Sequence, residues 1–133
     1  MRARKPTAEP VRVLIADDHR LFAEALEAIL QMDERIEVVG QASDGEEAVE
    51  LARKLGPDLV LMDVSMPVLD GFEATREIRS ASEDVRVLML TGSNSRADVD
   101  RSREAGASGY VTKDRIASEL IASIVEVTRR RLP

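Results

Sequence analysis

The side chains in this sequence best placed for chemistry are Asp17, Asp18, Asp63, Thr91 and Lys113. Each directly follows an apolar run. "VRVLIA" leads into Asp17 and Asp18, "LVLM" into Asp63, "VRVLML" into Thr91 and Gly92, and "SGYVT" into Lys113. Singly, an aspartate or threonine after a strand is a turn or capping residue, and a lone lysine is solvated. Jointly they describe a pocket. Three carboxylates brought together repel, since two unit charges ~4 Å apart cost roughly 1 kcal/mol in water and ~4 kcal/mol at an effective dielectric near 20. A divalent cation removes that penalty. With oxygen donors and no His or Cys cluster the ion is hard, so Mg²⁺ is expected, with Mn²⁺ as the alternative. At least one of the adjacent pair Asp17 and Asp18 reaches the metal directly. His19 follows them and reads as an exposed residue opening a helix.

Asp63 stands alone after its strand, where a nucleophile is best placed. A carboxylate oxygen attacking phosphorus gives an aspartyl phosphate. Lys113 then supplies positive charge and Thr91 a hydroxyl donor to the phosphoryl oxygens. Gly92 has no side chain to block the approach.

These residues need a scaffold that gathers strand ends. The chain reads as strand then helix, five times over. Strands are expected at 11–16, 36–42, 59–62, 85–90 and 108–112. The second is the most polar and belongs near an edge. The first helix shows Leu21, Phe22, Ala25, Leu26, Ile29 and Leu30 at helical spacing. The second opens on Asp44 and Glu47, a D-x-x-E start signal, shows Ala48, Leu51, Ala52 and Leu55, and stops at Gly56 and Pro57. The third runs from about Asp70 to Arg79 with Phe72, Thr75 and Ile78 on one face. The fourth, within 93–106, is poorly amphipathic, with Ala97, Val99 and Ala105 as anchors. The last carries Ile116, Leu120, Ile121, Ile124 and Val125. Strict alternation with short connections predicts an α/β fold, a parallel sheet covered by helices on both faces. Ligands of such sheets bind beyond the carboxyl ends of the strands.

The 133 residues suit one domain, at 11–128, between a loose tail at 1–10 and a basic end at 129–133. Aromatics are 2% of residues, so the core is aliphatic. There is no cysteine, hence no disulfide and no thiolate metal site. The net charge is −6 although both ends are basic, through Arg2, Arg4 and Lys5 and through Arg129, Arg130 and Arg131. The body between them is therefore strongly acidic and unsuited to gripping nucleic acid. No secretory signal or membrane-length apolar run is evident, and a cytoplasmic protein is expected.

The stretches "IADDH" (15–19), "LMDVSMPVLDG" (61–71), "LTGS" (90–93) and "GYVTKD" (109–114) resemble the receiver domain of bacterial response regulators. "DDH" and "GYVTKD" are most similar to the NarL/FixJ (LuxR-type) branch. The resemblance covers about residues 11 to 128. It implies a flavodoxin-like (βα)5 fold with strand order 2-1-3-4-5. It implies that Asp63 takes a phosphoryl group from the phosphohistidine of a sensor histidine kinase. It gives Asp17, Asp18, Asp63 and the backbone carbonyl of Ser65 to Mg²⁺, and Thr91 and Lys113 to the phosphoryl group. Tyr110 matches the aromatic that changes rotamer on activation. Ser65 and Ser93 flank the path of an attacking water and are expected to tune the lifetime of the phosphorylated state.

Two departures stand out. Asp114 occupies the place of the proline that often follows the lysine. No helix-turn-helix follows in these residues, so the DNA-binding output typical of the branch would lie outside them. The expected role is a phosphoacceptor switch rather than an enzyme, with a homodimer formed on phosphorylation, no direct nucleic-acid contact and no membrane. The alternatives are a stand-alone receiver acting through protein partners or as a phosphoryl sink, and an aspartyl-phosphate hydrolase. The hydrolase would want an acid two residues after its nucleophile, where Ser65 stands.

Overall fold

The structure, a computed structural model, describes residues 9–92 and 95–129. The strands β1 (Val11–Ala16), β2 (Ile36–Ala42), β3 (Leu59–Asp63), β4 (Arg86–Thr91) and β5 (Gly109–Thr112) alternate with the helices α1 (Arg20–Gln31), α2 (Gly45–Leu55), α3 (Gly71–Ala81), α4 (Arg96–Ala105) and α5 (Ile116–Arg129). A short 3₁₀ turn at Lys113–Arg115 leads into α5. The sheet is wholly parallel in the order β2-β1-β3-β4-β5. The expected fold class and strand order are both observed, with the polar second strand at an edge.

Every residue of β3 is buried, as a central strand covered on both faces must be. Successive side chains of the sheet alternate between two cores. Val13, Ile15, Leu61, Leu88 and Leu90 pack with Leu26 and Leu30 of α1 and with Leu120 and Ile124 of α5. Leu14, Val60, Met62, Val87 and Met89 pack with Ala48 and Ala52 of α2, Phe72, Ala74 and Ile78 of α3 and Ala105 of α4. The α5 stripe is thus mainly core, with Ile121 and Val125 half-buried at its border.

The helix starts follow local chemistry. The Asp44 carboxylate accepts from the Glu47 amide at 2.8 Å, while Glu47 reaches back to the Ser43 amide, also at 2.8 Å. Asp70 and Glu73 form a reciprocal capping box on α3. Gly56 ends α2 at φ 54, a left-handed conformation in which a side chain would be strained.

Three expectations need correcting. On α1, Leu21, Ala25 and Ile29 face solvent, and Ala23 takes the buried place. Two apolar faces compete on that helix, and the sheet selects the one bearing Ala23, Leu26 and Leu30. On α4, Ala97 is exposed, whereas Ser102 is buried beside Ala105. Ser102 tolerates burial because its hydroxyl donates to the Asp98 carbonyl at 2.9 Å. Finally, β4 runs through Thr91, one residue beyond the expected end at 90. The basic residues at 2, 4, 5, 130 and 131, and Ser93, lie outside the described residues.

Candidate functional site

Register brings the chosen residues together. Ala16 pairs with Met62 and Asp63 with Leu90, so Asp17 and Asp63 emerge side by side at the carboxyl edge of the sheet. Thr91 pairs with Thr112, which sets Lys113 next to Thr91 just beyond the same edge. The edge is also where strand order reverses: β1 leads outward to β2 on one side, and β3 begins the run to β5 on the other. The ladder continues one residue further at two points, through Asp17 N–H to Ala42 C=O and Val64 N–H to Leu90 C=O, both 3.0 Å. Those bonds fix the backbone at both acids.

The Asp17 and Asp63 residues are 2% and 3% exposed, while Asp18 and His19 are exposed. The Lys113 ammonium lies 3.2 Å from Asp63 Oδ1 and 3.7 Å from Asp17 Oδ2. It also stands 4.8 Å from the Phe22 ring centroid, a cation–π contact that holds its stem toward the pocket. The other Asp17 oxygen accepts from the His19 amide at 2.8 Å. Thr91 is buried, and Ser65 is exposed. Burial raises the Asp63 carboxyl above its ordinary value, and the nearby Asp17 charge adds to the rise. The Lys113 ammonium and the Ser65 backbone amide pull it down, without cancelling the rise.

Two oxygens remain unsatisfied. Asp17 Oδ2 and Asp63 Oδ2 are buried and have no hydrogen-bond partner among the described residues. Such oxygens are costly to bury. One ligand atom from each of Asp17, Asp18, His19 and Asp63 lies within 4.8 Å of the others. A hard dication placed among these oxygens satisfies both orphans and relieves the repulsion between the acids, so the donor set fits Mg²⁺.

Some of this was not legible in the sequence. His19 stands at the N-cap position of α1 without a capping bond from its side chain, and its Nδ1 is 3.4 Å from one oxygen of Asp17 and 3.4 Å from one of Asp18. Only its position after the acidic pair hinted at this. The support of Lys113 by Phe22 joins residues far apart in the chain and left no sequence signal. The loop between β3 and α3 is strained. Val68 has φ 71, and the Leu69 amide reaches past it to the Pro67 carbonyl at 2.7 Å, closing a γ-turn. A β-branched residue is ill-suited to that conformation. The loop then closes tightly on β3, since a Cβ on Gly71 would stand 2.2 Å from the Asp63 carbonyl oxygen.

Comparison with known proteins gives the same picture. The family model described as "Response regulator receiver domain" matches residues 13–125. The chain is 41% identical to the transcriptional regulatory protein DegU of Brevibacillus brevis over 119 residues, which cover 90% of this chain and 50% of DegU. It spans about half the length of the curated relatives it matches. Among solved structures, the signal receiver domain of NarL from Mycobacterium tuberculosis superposes with a TM-score of 0.87 at 34% identity, over 91% of this chain and 98% of that one. A chain of the CheX-CheY-BeF3-Mg+2 complex from Borrelia burgdorferi superposes with a TM-score of 0.83 at 27% identity, over 91% of each chain. The acid pocket, the register that assembles it and these likenesses agree: the chain belongs to the response regulator receiver domain family, with NarL-type receivers among its structural neighbours.

Proposed function

We propose that Asp63 is a phosphoacceptor, charged by the phosphohistidine of a sensor histidine kinase. The observation that carries this reading is the Asp63 carboxylate itself. It is buried at the end of the central strand with one oxygen 3.2 Å from Lys113 Nζ and the other without a partner among the described residues. An Asp63 oxygen forms a bond to phosphorus, and the bond from phosphorus to the imidazole nitrogen breaks. Asp17, Asp18, Asp63 and the Ser65 carbonyl would hold Mg²⁺, which when bound neutralises phosphoryl oxygens. Lys113 compensates the charge that accumulates on those oxygens, and the Thr91 hydroxyl donates to one of them. The burial around Asp63 limits access of water to the acyl phosphate, and the exposed Ser65 stands on the approach that remains. Ser93 is proposed to tune the same hydrolysis.

The output is a conformational switch. The phosphoryl group adds roughly two negative charges and three acceptor oxygens. Drawing Thr91 toward them frees space at the end of β4, into which Tyr110 of the neighbouring β5 turns. Tyr110 is 40% exposed. The intervening α4 buries only Ser102 and Ala105, so it is the helix most easily displaced. The proposed consequence is a homodimer and, in view of relatives named as transcriptional regulators, control of transcription through a DNA-binding segment outside these residues. No described helix is long and apolar enough to cross a membrane.

The test is direct. Incubation with Mg²⁺ and acetyl phosphate should add the mass of one phosphoryl group to the wild type and none to Asp63→Asn, with chelation abolishing the reaction. In a parallel melt, Mg²⁺ at tenfold its Kd should stabilise the wild type by about 1.4 kcal/mol and Asp17→Asn much less. Equal modification of Asp63→Asn and wild type would refute the acceptor.

A further inference from the structure

Beside the acid pocket lies an open cleft of about 520 Å³, lined by Asp18, Ser65, Pro67, Phe72 and Arg101 among others. Arg101 comes from α4. Its guanidinium carbon stands 4.1 Å from the centroid of the Phe72 ring at the start of α3. Stacking engages the flat face of a guanidinium, while its N–H donors radiate in the plane. Among the described residues no hydrogen bond or ion pair occupies those donors. The other charged side chains of the cleft, Asp18 and Asp70, are acids. A cation is therefore held in place by a ring, with unused donors, on the wall of a cleft shared with Ser65 and Asp18.

Phosphoryl transfer runs in line, so the leaving group departs on the side of phosphorus opposite the attacking oxygen. Asp63 attacks from the buried end of β3. The cleft adjoins that pocket through Asp18 and Ser65.

We propose that Arg101 recognises the leaving group of small acyl phosphate donors, a carboxylate, and so sets which small molecules can charge Asp63. The inference rests on Asp63 being the acceptor. An Asp63 oxygen bonds to phosphorus, the bond from phosphorus to the carboxylate oxygen breaks, and the electron pair leaves on the carboxylate. A guanidinium matches a carboxylate through two parallel N–H···O bonds. A phosphoimidazole donor leaves as neutral imidazole once its nitrogen is protonated, and offers Arg101 no charge to hold. Arg101 is thus a specificity residue for one class of donor.

The experiment compares initial charging rates from acetyl phosphate and from monophosphoimidazole, in Mg²⁺ buffer, for wild type, Arg101→Gln and Arg101→Lys. In Arg101→Gln the ratio of the acetyl phosphate rate to the phosphoimidazole rate should fall about fivefold to tenfold, the range of one solvent-accessible hydrogen bond. Arg101→Lys should recover part of it. Fluoroberyllate, which has no leaving group, should bind wild type and Arg101→Gln alike, which also shows the variant to be folded. An equal fall with both donors, or weakened fluoroberyllate binding, would place Arg101 on the phosphoryl group and overturn the assignment. An unchanged ratio would reduce Arg101 to a cover for Phe72. Failure of both donors on the wild type would overturn the acceptor reading, and this inference with it.

Discussion

The Lys113 ammonium lies 3.2 Å from Asp63 Oδ1, joining the end of β5 to the end of β3 across the carboxyl edge of β4. Lys113 also approaches Asp17 at 3.7 Å, so one cation serves two buried acids. Replacing it with methionine keeps the stem and removes the charge. The Asp63 carboxyl should then titrate higher still, because the largest influence lowering it is gone. Carbon-13 NMR of the aspartate carboxyls reads this directly. Charging by acetyl phosphate should slow on the order of a hundredfold, as when one charge-stabilising donor is lost from an active site.

Asp63 carries a stability cost with a definite pH dependence. Its carboxyl is raised in the native state, chiefly by burial, so the fold holds that proton more tightly than the unfolded chain does. Its contribution to stability is therefore best in acid. That contribution declines as pH rises from the unfolded value through the native one, and the full cost is present above it. Asp63→Asn should be more stable than wild type at neutral pH, measured without Mg²⁺. The difference should shrink as pH is lowered below the native Asp63 value. Urea unfolding across a pH series checks this, and a gap that does not vary with pH would contradict it.

Val68 holds a conformation that suits glycine, and its side chain is 74% exposed and little used in packing. Val68→Gly should therefore relieve strain and stabilise the fold by ~0.5–1 kcal/mol, after allowance for the greater freedom of glycine in the unfolded chain. Chemical denaturation measures it. A loss of stability would mean that the γ-turn is not strained.

The two leucines of α1 separate its faces. Leu26 is 1% exposed and Leu21 is 81% exposed. Leu26→Ala should cost about 3–5 kcal/mol, a transfer cost plus a cavity. Leu21→Ala should stay within about 0.5 kcal/mol. Similar costs at the two sites would reverse the orientation assigned to the helix.

Much of the molecule was legible before its structure. Apolar runs of strand length alternating with helical spacing define five β-α units, and the residues that end or follow those runs, Asp17, Asp18, Asp63, Thr91 and Lys113, lie at one edge of the sheet. Short-range chemistry was equally readable, as at Asp44 with Glu47 or at Gly56, because a capping bond spans only a few residues. The face buried by α1 was not readable. Leu21, Ala25 and Ile29 satisfy helical spacing as well as Ala23, Leu26 and Leu30 do, and only contact with the sheet decides between them. Nor was it legible that Phe22 supports Lys113, that Arg101 covers Phe72, or that Gly71 must be glycine to pass the Asp63 carbonyl. Those relationships join elements far apart in the chain, and distance between such elements is set by packing. Residue type and spacing determined which groups reach the edge of the sheet; the folded backbone alone determined which of them touch.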